Sequence, residues 1–141
     1  MEFLKANLDL GLIGVLGFMS FLTITFTVER YLYFARVDLG SFARAEDLEI
    51  SLTRYLTVIA SVGANAPYVG LLGTVLGILI TFNDIGRGGV IETSVIMVGL
   101  ALALKATAFG LLVAIPSIVF YNALLRRVDV LKARWGQRAC A

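Results

Sequence analysis

The sequence predicts an all-α integral membrane protein with three transmembrane helices, of which the second and third are long and extend into the cytoplasm. Hydrophobic residues make up 59% of the 141 residues, and only 16% are charged. A soluble domain of this size cannot hide so much apolar surface, because its own exterior has to be largely polar. Three apolar runs divide the chain, and each is long enough to cross a bilayer. Residues 1–141 are therefore expected to form one membrane domain.

The composition excludes several classes of site. The chain has no histidine and one cysteine, Cys140, so an internal disulfide, a multi-cysteine metal site and a histidine general base are all excluded. The net charge of +2 is too small to indicate a nucleic-acid partner, and the basic residues lie beside apolar runs instead of forming one cluster. We therefore expect no enzymatic activity, no metal, no cofactor and no nucleic-acid binding.

The first span is predicted at residues 10–28, which are 19 residues without a charge. The run ends in a charged pair and two tyrosines, as is typical of a helix anchored at the membrane interface: Glu29, Arg30, Tyr31 and Tyr33. A cleaved signal peptide is the alternative. The segment before the run sets Lys5 against two acidic residues, and no A-x-A cleavage pattern follows, so we expect an uncleaved helix.

The segment that follows, residues 30–65, is predicted to be a cytoplasmic loop, and its part from Arg36 to Arg54 is polar. Gly40 and Ser41 mark the main break within it. From about Ala45, apolar residues recur at a spacing of three to four, which is typical of an amphipathic helix: Leu48, Leu52, Tyr55 and Ile59. We expect this helix to pack on the rest of the chain and to lead into the second span.

The second span is predicted at residues 66–84, with Pro67 at its entry. Because proline lacks an N–H, Pro67 either starts this helix or kinks one that began near Ala45. A short turn is expected next, at polar residues and glycines: Asn83, Asp84, Gly86, Gly88 and Gly89. The third span, residues 93–125, would be about 50 Å long as a helix and so exceeds the ~30 Å bilayer core. For Pro116, within it, we expect a simple helix kink.

The distribution of basic residues predicts the orientation. The loop from Arg30 to Arg54 holds four arginines, and the tail, residues 126–141, holds five basic residues. The opposite side of the membrane would hold only Lys5 and Arg87. Since basic residues favour the cytoplasm, we expect a periplasmic N-terminus, a cytoplasmic loop and a cytoplasmic C-terminal tail. The surplus length of the third helix would emerge on the cytoplasmic side.

Lys105 is the one full charge within the third span. It lies 12 residues past Thr93, about 18 Å along a helix, at a depth where a cation costs roughly 3 kcal/mol. It needs an acidic partner, a water-filled path or deprotonation. No Asp or Glu lies in the interior of the three predicted spans, since Glu29, Asp84 and Glu92 all stand at span ends. Two interpretations stay open: a structural charge that reaches headgroups or pore water, or a contact with an acidic group from another polypeptide.

Small residues and threonines form stripes on the second and third spans. One face of the second span holds Gly70, Thr74, Gly77 and Thr81. The third span has a small stripe with Thr107 beside it, formed by Gly99, Ala103, Ala106, Gly110 and Ala114. Such stripes allow close helix packing, whereas hydroxyls inside a pore hold water or bond a carboxylate. Lys105 and Thr107 lie about 200° apart around the helix, so if Thr107 faces a lumen Lys105 faces a helix seam, or the reverse.

The second and third spans carry a paired motif. APYVGLLGTVLGILITF, residues 66–82, is followed by GLALALKATAFGLLVAIPSIVFYN, residues 99–122. The pair resembles the signature of the MotA/TolQ/ExbB proton-channel family, and most closely that of its ExbB members. The likeness is close from about Ala64 to Asn122, and the predicted topology of the rest of the chain matches as well.

The resemblance implies a function and partners. It implies a ring oligomer, usually a pentamer, in the bacterial inner membrane, around the single-span helices of ExbD, whose intramembrane aspartate would carry protons. The proton-motive force would then drive TonB, which energises outer-membrane import of iron chelates and vitamin B12. The threonines at the positions of Thr74 and Thr107 line the channel region in the family. A TolQ-like subunit for outer-membrane integrity and a non-conducting membrane scaffold are the alternatives.

The chain departs from the family pattern in its third span. Many members have a glutamate at the position of Leu102, within a GxAEALxATA pattern. Here Lys105 replaces an apolar residue three positions on, so an acid is missing and a base stands nearly one turn away. A partner chain would then have to supply the titrating group, and we predict that Lys105 is its counter-charge.

Overall fold

The computed structural model describes residues 2–88 and 92–141, and these form four α-helices. Helix α1 is Glu2–Arg36, α2 is Ala45–Thr53, α3 is Leu56–Gly88 and α4 is Thr93–Ala139. A single 3-10 turn, Leu39–Ser41, lies between α1 and α2, at the break predicted there. No strand occurs within the described ranges, so the predicted all-helical architecture is confirmed for them.

Three of the helices are long and apolar enough to cross a membrane: α1, α3 and α4. Their outward faces are apolar as well, since Phe18 is 62%, Leu79 61% and Leu112 66% exposed. The prediction of three apolar helices is thus confirmed by length and composition. Each helix is longer than the span predicted within it, and α4, with 47 residues, runs about 70 Å. It continues through Pro116 as one helix, and the predicted kink there stays a prediction.

Pro67 does not start the second long helix, and the helix that contains it does not begin near Ala45; a kink at Pro67 stays a prediction. Helix α2 ends at Thr53, and α3 begins at Leu56, so Pro67 lies well inside a helix that started independently. The break falls at Tyr55, whose φ of 66° is in the left-handed region that a non-glycine residue rarely adopts. The Tyr55 ring stacks on that of Phe26, with the ring centroids 4.7 Å apart. Such contacts from the surrounding structure are what hold a residue in a strained backbone conformation.

The turn predicted at Asn83 to Gly89 is wrong for the part that the structure describes. Helix α3 continues to Gly88, so residues 83–88 are helical. Each glycine disfavours a helix by only about 1 kcal/mol, whereas extending an existing helix adds a hydrogen bond for every residue fixed. Gly89 lies outside the described residues.

Helices α3 and α4 are antiparallel neighbours, and α1 packs against both. Gly63 of α3 lies beside Ile118 of α4, whereas Gly77, farther along α3, lies beside Ala103, nearer the start of α4. Helix α1 runs parallel to α4 and is joined to it by a hydrogen bond between the hydroxyls of Thr23 and Ser117, 3.1 Å apart.

The largest buried apolar group lies where α1 ends, α3 begins and α2 crosses α4. We call it the large-residue cluster, and its members are Phe34, Leu39, Leu48, Leu52, Leu56, Ile59, Leu124 and Val128. Leu52 and Ile59 are fully buried. Helix α2 is therefore held against α4 by its apolar face, as its periodicity predicted. An ion pair from Lys132 to Glu49 at 3.0 Å and a hydrogen bond from the Trp135 indole to the Phe42 carbonyl at 3.1 Å lie at the same end.

Candidate functional site

The predicted small residues bring α3 and α4 into near backbone contact. A Cβ atom added to Gly70 would lie 2.8 Å from the carbonyl oxygen of Ala106 and 3.0 Å from the Cα of Thr107. One added to Gly110 would lie 2.7 Å from the carbonyl oxygen of Ala66. Only glycine fits at either position without moving a backbone. We call this α3–α4 contact the small-residue seam and define it by Gly70, Thr74, Ala103, Thr107 and Gly110.

Thr74 and Thr107 meet at the centre of the small-residue seam. The Thr74 side chain is buried, and its hydroxyl lies 3.2 Å from the carbonyl oxygen of Ala103 on the other helix. The two threonine hydroxyls are hydrogen-bonded to each other, and each also reaches the carbonyl oxygen of Gly70 at 3.3 Å. Each hydroxyl has a single proton to donate, so the two threonines can donate only two hydrogen bonds at a time. The acceptor oxygens within reach outnumber these two protons. The arrangement is a small polar network inside an apolar contact.

Thr81 occupies the same side of α3, nearer its C-terminal end. Its hydroxyl donates to the carbonyl oxygen of Gly77 at 2.8 Å, and its side chain is 4% exposed. Across from it lies Gly99 of α4, where an added Cβ would come within 2.6 Å of the Thr81 methyl group. The three threonines named as pore candidates thus all face the contact between two helices of one chain. Close packing accounts for their positions within the subunit, and their role in a pore stays a prediction.

Lys105 points away from Thr107, as the spacing of the two residues requires. Its side chain is exposed, and its Nζ lies 5.7 Å from the centre of the Phe109 ring, one turn farther along α4. The lysine borders a cavity between α4 and α1 that Asp9 also lines. The predicted site residues therefore divide into two groups, with the threonines in the α3–α4 contact and Lys105 on the α1 side of α4.

The sequence analysis missed a buried cation at the far end of α1. Arg30 is 3% exposed, and its guanidinium donates to the backbone carbonyl of Ser51 at 2.9 Å and to the Glu29 carboxylate at 2.5 Å. It also lies over the Tyr33 ring, 4.4 Å from the ring centre. These contacts join α1 to α2. The sequence signal was present in the Glu-Arg pair and the tyrosines, but that pattern is equally typical of exposed interfacial anchors.

The fold and the paired helices can be compared with known proteins. The model of the MotA/TolQ/ExbB proton channel family matches residues 41–137, which include α2, α3 and most of α4. This chain belongs to the MotA/TolQ/ExbB proton channel family. Its small-residue seam and both threonines at the centre of that seam lie within the matched region. The chain is accordingly a membrane protein of a transport family.

Relatives within the MotA/TolQ/ExbB family extend the likeness to α1. The biopolymer transport protein ExbB of Aquifex aeolicus is 55% identical over 128 residues, which cover 91% of this chain and 86% of the relative. The protein of the same name from Helicobacter pylori strain J99 is 48% identical over 135 residues, covering 96% of this chain and 93% of the relative. That of Salmonella typhimurium is 43% identical over 81 residues, only 33% of its own length. The likeness therefore spans nearly all of this chain in the first two relatives and about half of it in the third.

Proposed function

We propose that this chain is the proton-channel subunit of an energy-transducing complex of the ExbB–ExbD–TonB type. The observation that carries the proposal is the hydrogen-bonded pair of Thr74 and Thr107 in the small-residue seam, inside the region matched by the family. Paired hydroxyls in an apolar contact are able to order water or to bond a carboxylate brought beside them. Names of the relatives, which describe biopolymer transport proteins, support the same function.

The two predicted spans that carry these threonines contain no carboxylate of their own at this level. Residues 66–82 and 93–125 contain Lys105 as their only charged residue. A proton carrier must then come from a partner, and we propose an ExbD-like single-span protein with an intramembrane aspartate. Thr74, Thr81 and Thr107 would border its path, and Lys105 would contact the partner from the other side of α4.

Assembly and location follow from the same proposal. We propose a homo-oligomeric ring, a pentamer, in the bacterial inner membrane, with a periplasmic N-terminus and a cytoplasmic C-terminus. The many exposed apolar side chains on α1, α3 and α4 supply faces for lipid and for neighbouring copies. A TonB-like protein would receive the energy and drive outer-membrane import of iron chelates or vitamin B12.

Reconstituted vesicles test the channel function directly. The full chain is purified with and without its ExbD-like partner, and proton entry is followed with an internal pH dye under an imposed membrane potential. We expect flux only with the partner, and a reduction when Thr74→Val and Thr107→Val are combined. Thr57→Val, an exposed threonine on the same helix, is the matched control. A partner-independent flux, or no flux with the partner present, would contradict the proposal.

Cell-level readouts separate the proposed import function from the TolQ-like alternative. Deletion of the gene should abolish uptake of iron chelates and leave the envelope sealed to dyes. Envelope leakage with normal iron uptake would instead assign the chain to outer-membrane integrity. Lys105→Leu should weaken co-purification of the partner or the coupling to uptake, and normal values of both would remove Lys105 from the partner contact.

A further inference from the structure

An aspartate of α1 shares a cavity with the lysine of α4. Asp9 and Lys105 both line the cavity between these helices, together with apolar side chains that include Ile13 and Phe109. A second, adjoining cavity is lined by Asp9, Leu102 and Thr81. Asp9 therefore borders both the cavity that Lys105 lines and the cavity that Thr81 and Ala103 line. Asp9 directly precedes the first predicted span, residues 10–28.

The register of α1 against α4 brings the two charges to one level. The Thr23–Ser117 hydrogen bond joins residues 94 positions apart, and the helices run parallel. Leu12 and Ala106 are also 94 positions apart, and they lie at the same place along the helices. A Cβ added to Gly73 would lie within 2.7 Å of both a Leu12 methyl carbon and the Ala106 Cβ. Asp9 is three residues before Leu12, and Lys105 is one residue before Ala106. Their Cα atoms thus differ in height by only about 3 Å.

Lys105 lies in a setting that disfavours a lone ion, and Asp9 lies at the same level. The part of α1 that is long and apolar enough to span a membrane begins at Ala6, so Asp9 lies within its first turn. Lys105 lies more than three turns inside α4. Both side chains are exposed in the single chain, so in a membrane they face lipid, a neighbouring copy or each other. Opposite charges that share one cavity relieve both desolvation penalties when they pair.

We propose that Asp9 is the counter-charge of Lys105 within the same subunit. The acidic group that the lysine requires is then supplied by α1 of its own chain before any partner is bound, and the partner proposed above would contact the Asp9–Lys105 pair instead of a lone lysine. This pairing joins α1 to α4 near the start of both helices, as the Thr23–Ser117 hydrogen bond does farther along. The proposal concerns the folded subunit alone and does not depend on proton conduction.

Charge neutralisation and exchange test the pair in the full-length chain expressed without a partner. Asp9→Asn and Lys105→Gln should each lower the thermal unfolding midpoint in detergent, by about 5 °C. The double neutral variant and the exchanged variant, Asp9→Lys with Lys105→Asp, should each recover most of that loss, because no charge is left alone. Losses that simply add in the double variant would overturn the pairing.

Two matched controls make the result specific. Glu92→Gln removes another acid from the same end of α4, and Lys5→Gln removes the base one helical turn before Asp9. When either control substitution is combined with Lys105→Gln, the unfolding midpoint should not recover. If Glu92→Gln reproduces the behaviour of Asp9→Asn, or if Lys5 couples to Asp9 in place of Lys105, the assignment is wrong.

Cysteine cross-linking gives a second measurement that is independent of stability. Asp9→Cys and Lys105→Cys are combined in a Cys140→Ser background and treated with a short thiol cross-linker in native membranes. We expect a link within one chain, identified by mass spectrometry of the joined peptides. Co-expression of the two single-cysteine chains distinguishes pairing between neighbouring copies, because only that arrangement links them to each other. A link between copies, or none in the double variant, would overturn the proposal.

Discussion

The two packed regions of this molecule are built from opposite kinds of side chain. In the small-residue seam, glycine, alanine and threonine allow the backbones of α3 and α4 to come into near contact, and a hydrogen bond from Thr74 to Ala103 joins the two helices. In the large-residue cluster, leucine, isoleucine, valine and phenylalanine fill the space between α2, α3 and α4. The first pattern is that of helices packing in lipid, where burial of apolar surface supplies no driving force. The second is that of a core formed against water.

The contrast assigns different roles to the start and the middle of α3. Its first residues, Leu56 and Ile59, belong to the large-residue cluster, and its middle belongs to the small-residue seam. A single continuous helix thus passes from a core of large apolar residues, typical of packing in water, to a contact of small residues, typical of packing in lipid. This agrees with the proposed topology, in which the region around α2 lies in the cytoplasm and the seam lies in the bilayer.

The largest expected effect comes from placing a side chain in the small-residue seam. Gly70→Val should destroy the α3–α4 contact, at a cost above about 3 kcal/mol, because the atoms it would meet at 2.8–3.1 Å are all backbone. The measurement is the amount of folded protein recovered from membranes. Gly14→Val is the matched control, because an added Cβ there meets nothing within 4 Å. Equal recovery of the two variants would show that the seam does not hold the helices together.

A cavity in the large-residue cluster should have the next largest effect. Leu52→Ala removes a fully buried side chain and should lower the free energy of unfolding by about 2–4 kcal/mol. Thermal unfolding followed by circular dichroism measures the change. Ile50→Ala, on the same helix but 70% exposed, should shift stability by less than about 0.5 kcal/mol. If the two alanine variants unfold at the same temperature, α2 does not contribute to a core.

The smallest of the three effects should come from one hydroxyl of the small-residue seam. Thr74→Val keeps the shape and removes the bonds to Ala103 and Thr107, so the loss should be about 0.6–1.7 kcal/mol, the range found for hydrogen bonds between membrane helices. Thr57→Val, at an exposed position of α3, should be neutral in the same unfolding assay. A loss as large as that of Leu52→Ala would mean that polar bonds, and not close contact, dominate the seam.

Local pattern was sufficient for much of the fold. The apolar runs predicted three long helices, the spacing of Leu48 and Leu52 predicted the face that α2 buries, and the glycines of α3 and α4 predicted close packing. Predictions drawn from single residues were less successful. Pro67 was interpreted as the start of a helix or a kink in one that began near Ala45, and the glycines after Thr81 as a turn. Helix α3 instead runs through both places, since a helix already formed tolerates a few weak positions. The break between α2 and α3 falls at Tyr55, and nothing in that residue type predicts a left-handed backbone.

The sequence by itself determined the membrane class, the order of helices and the residue types that are able to make a close helix contact, because these depend on composition and on spacing along one chain. Tertiary structure decided which of those residues meet. It placed the threonines in the α3–α4 contact, buried Arg30 against the Tyr33 ring, and brought Asp9 of α1 to the cavity of Lys105. Residues nearly a hundred positions apart become neighbours only through the register of packed helices, and that register depends on side-chain contacts that no spacing within one helix records.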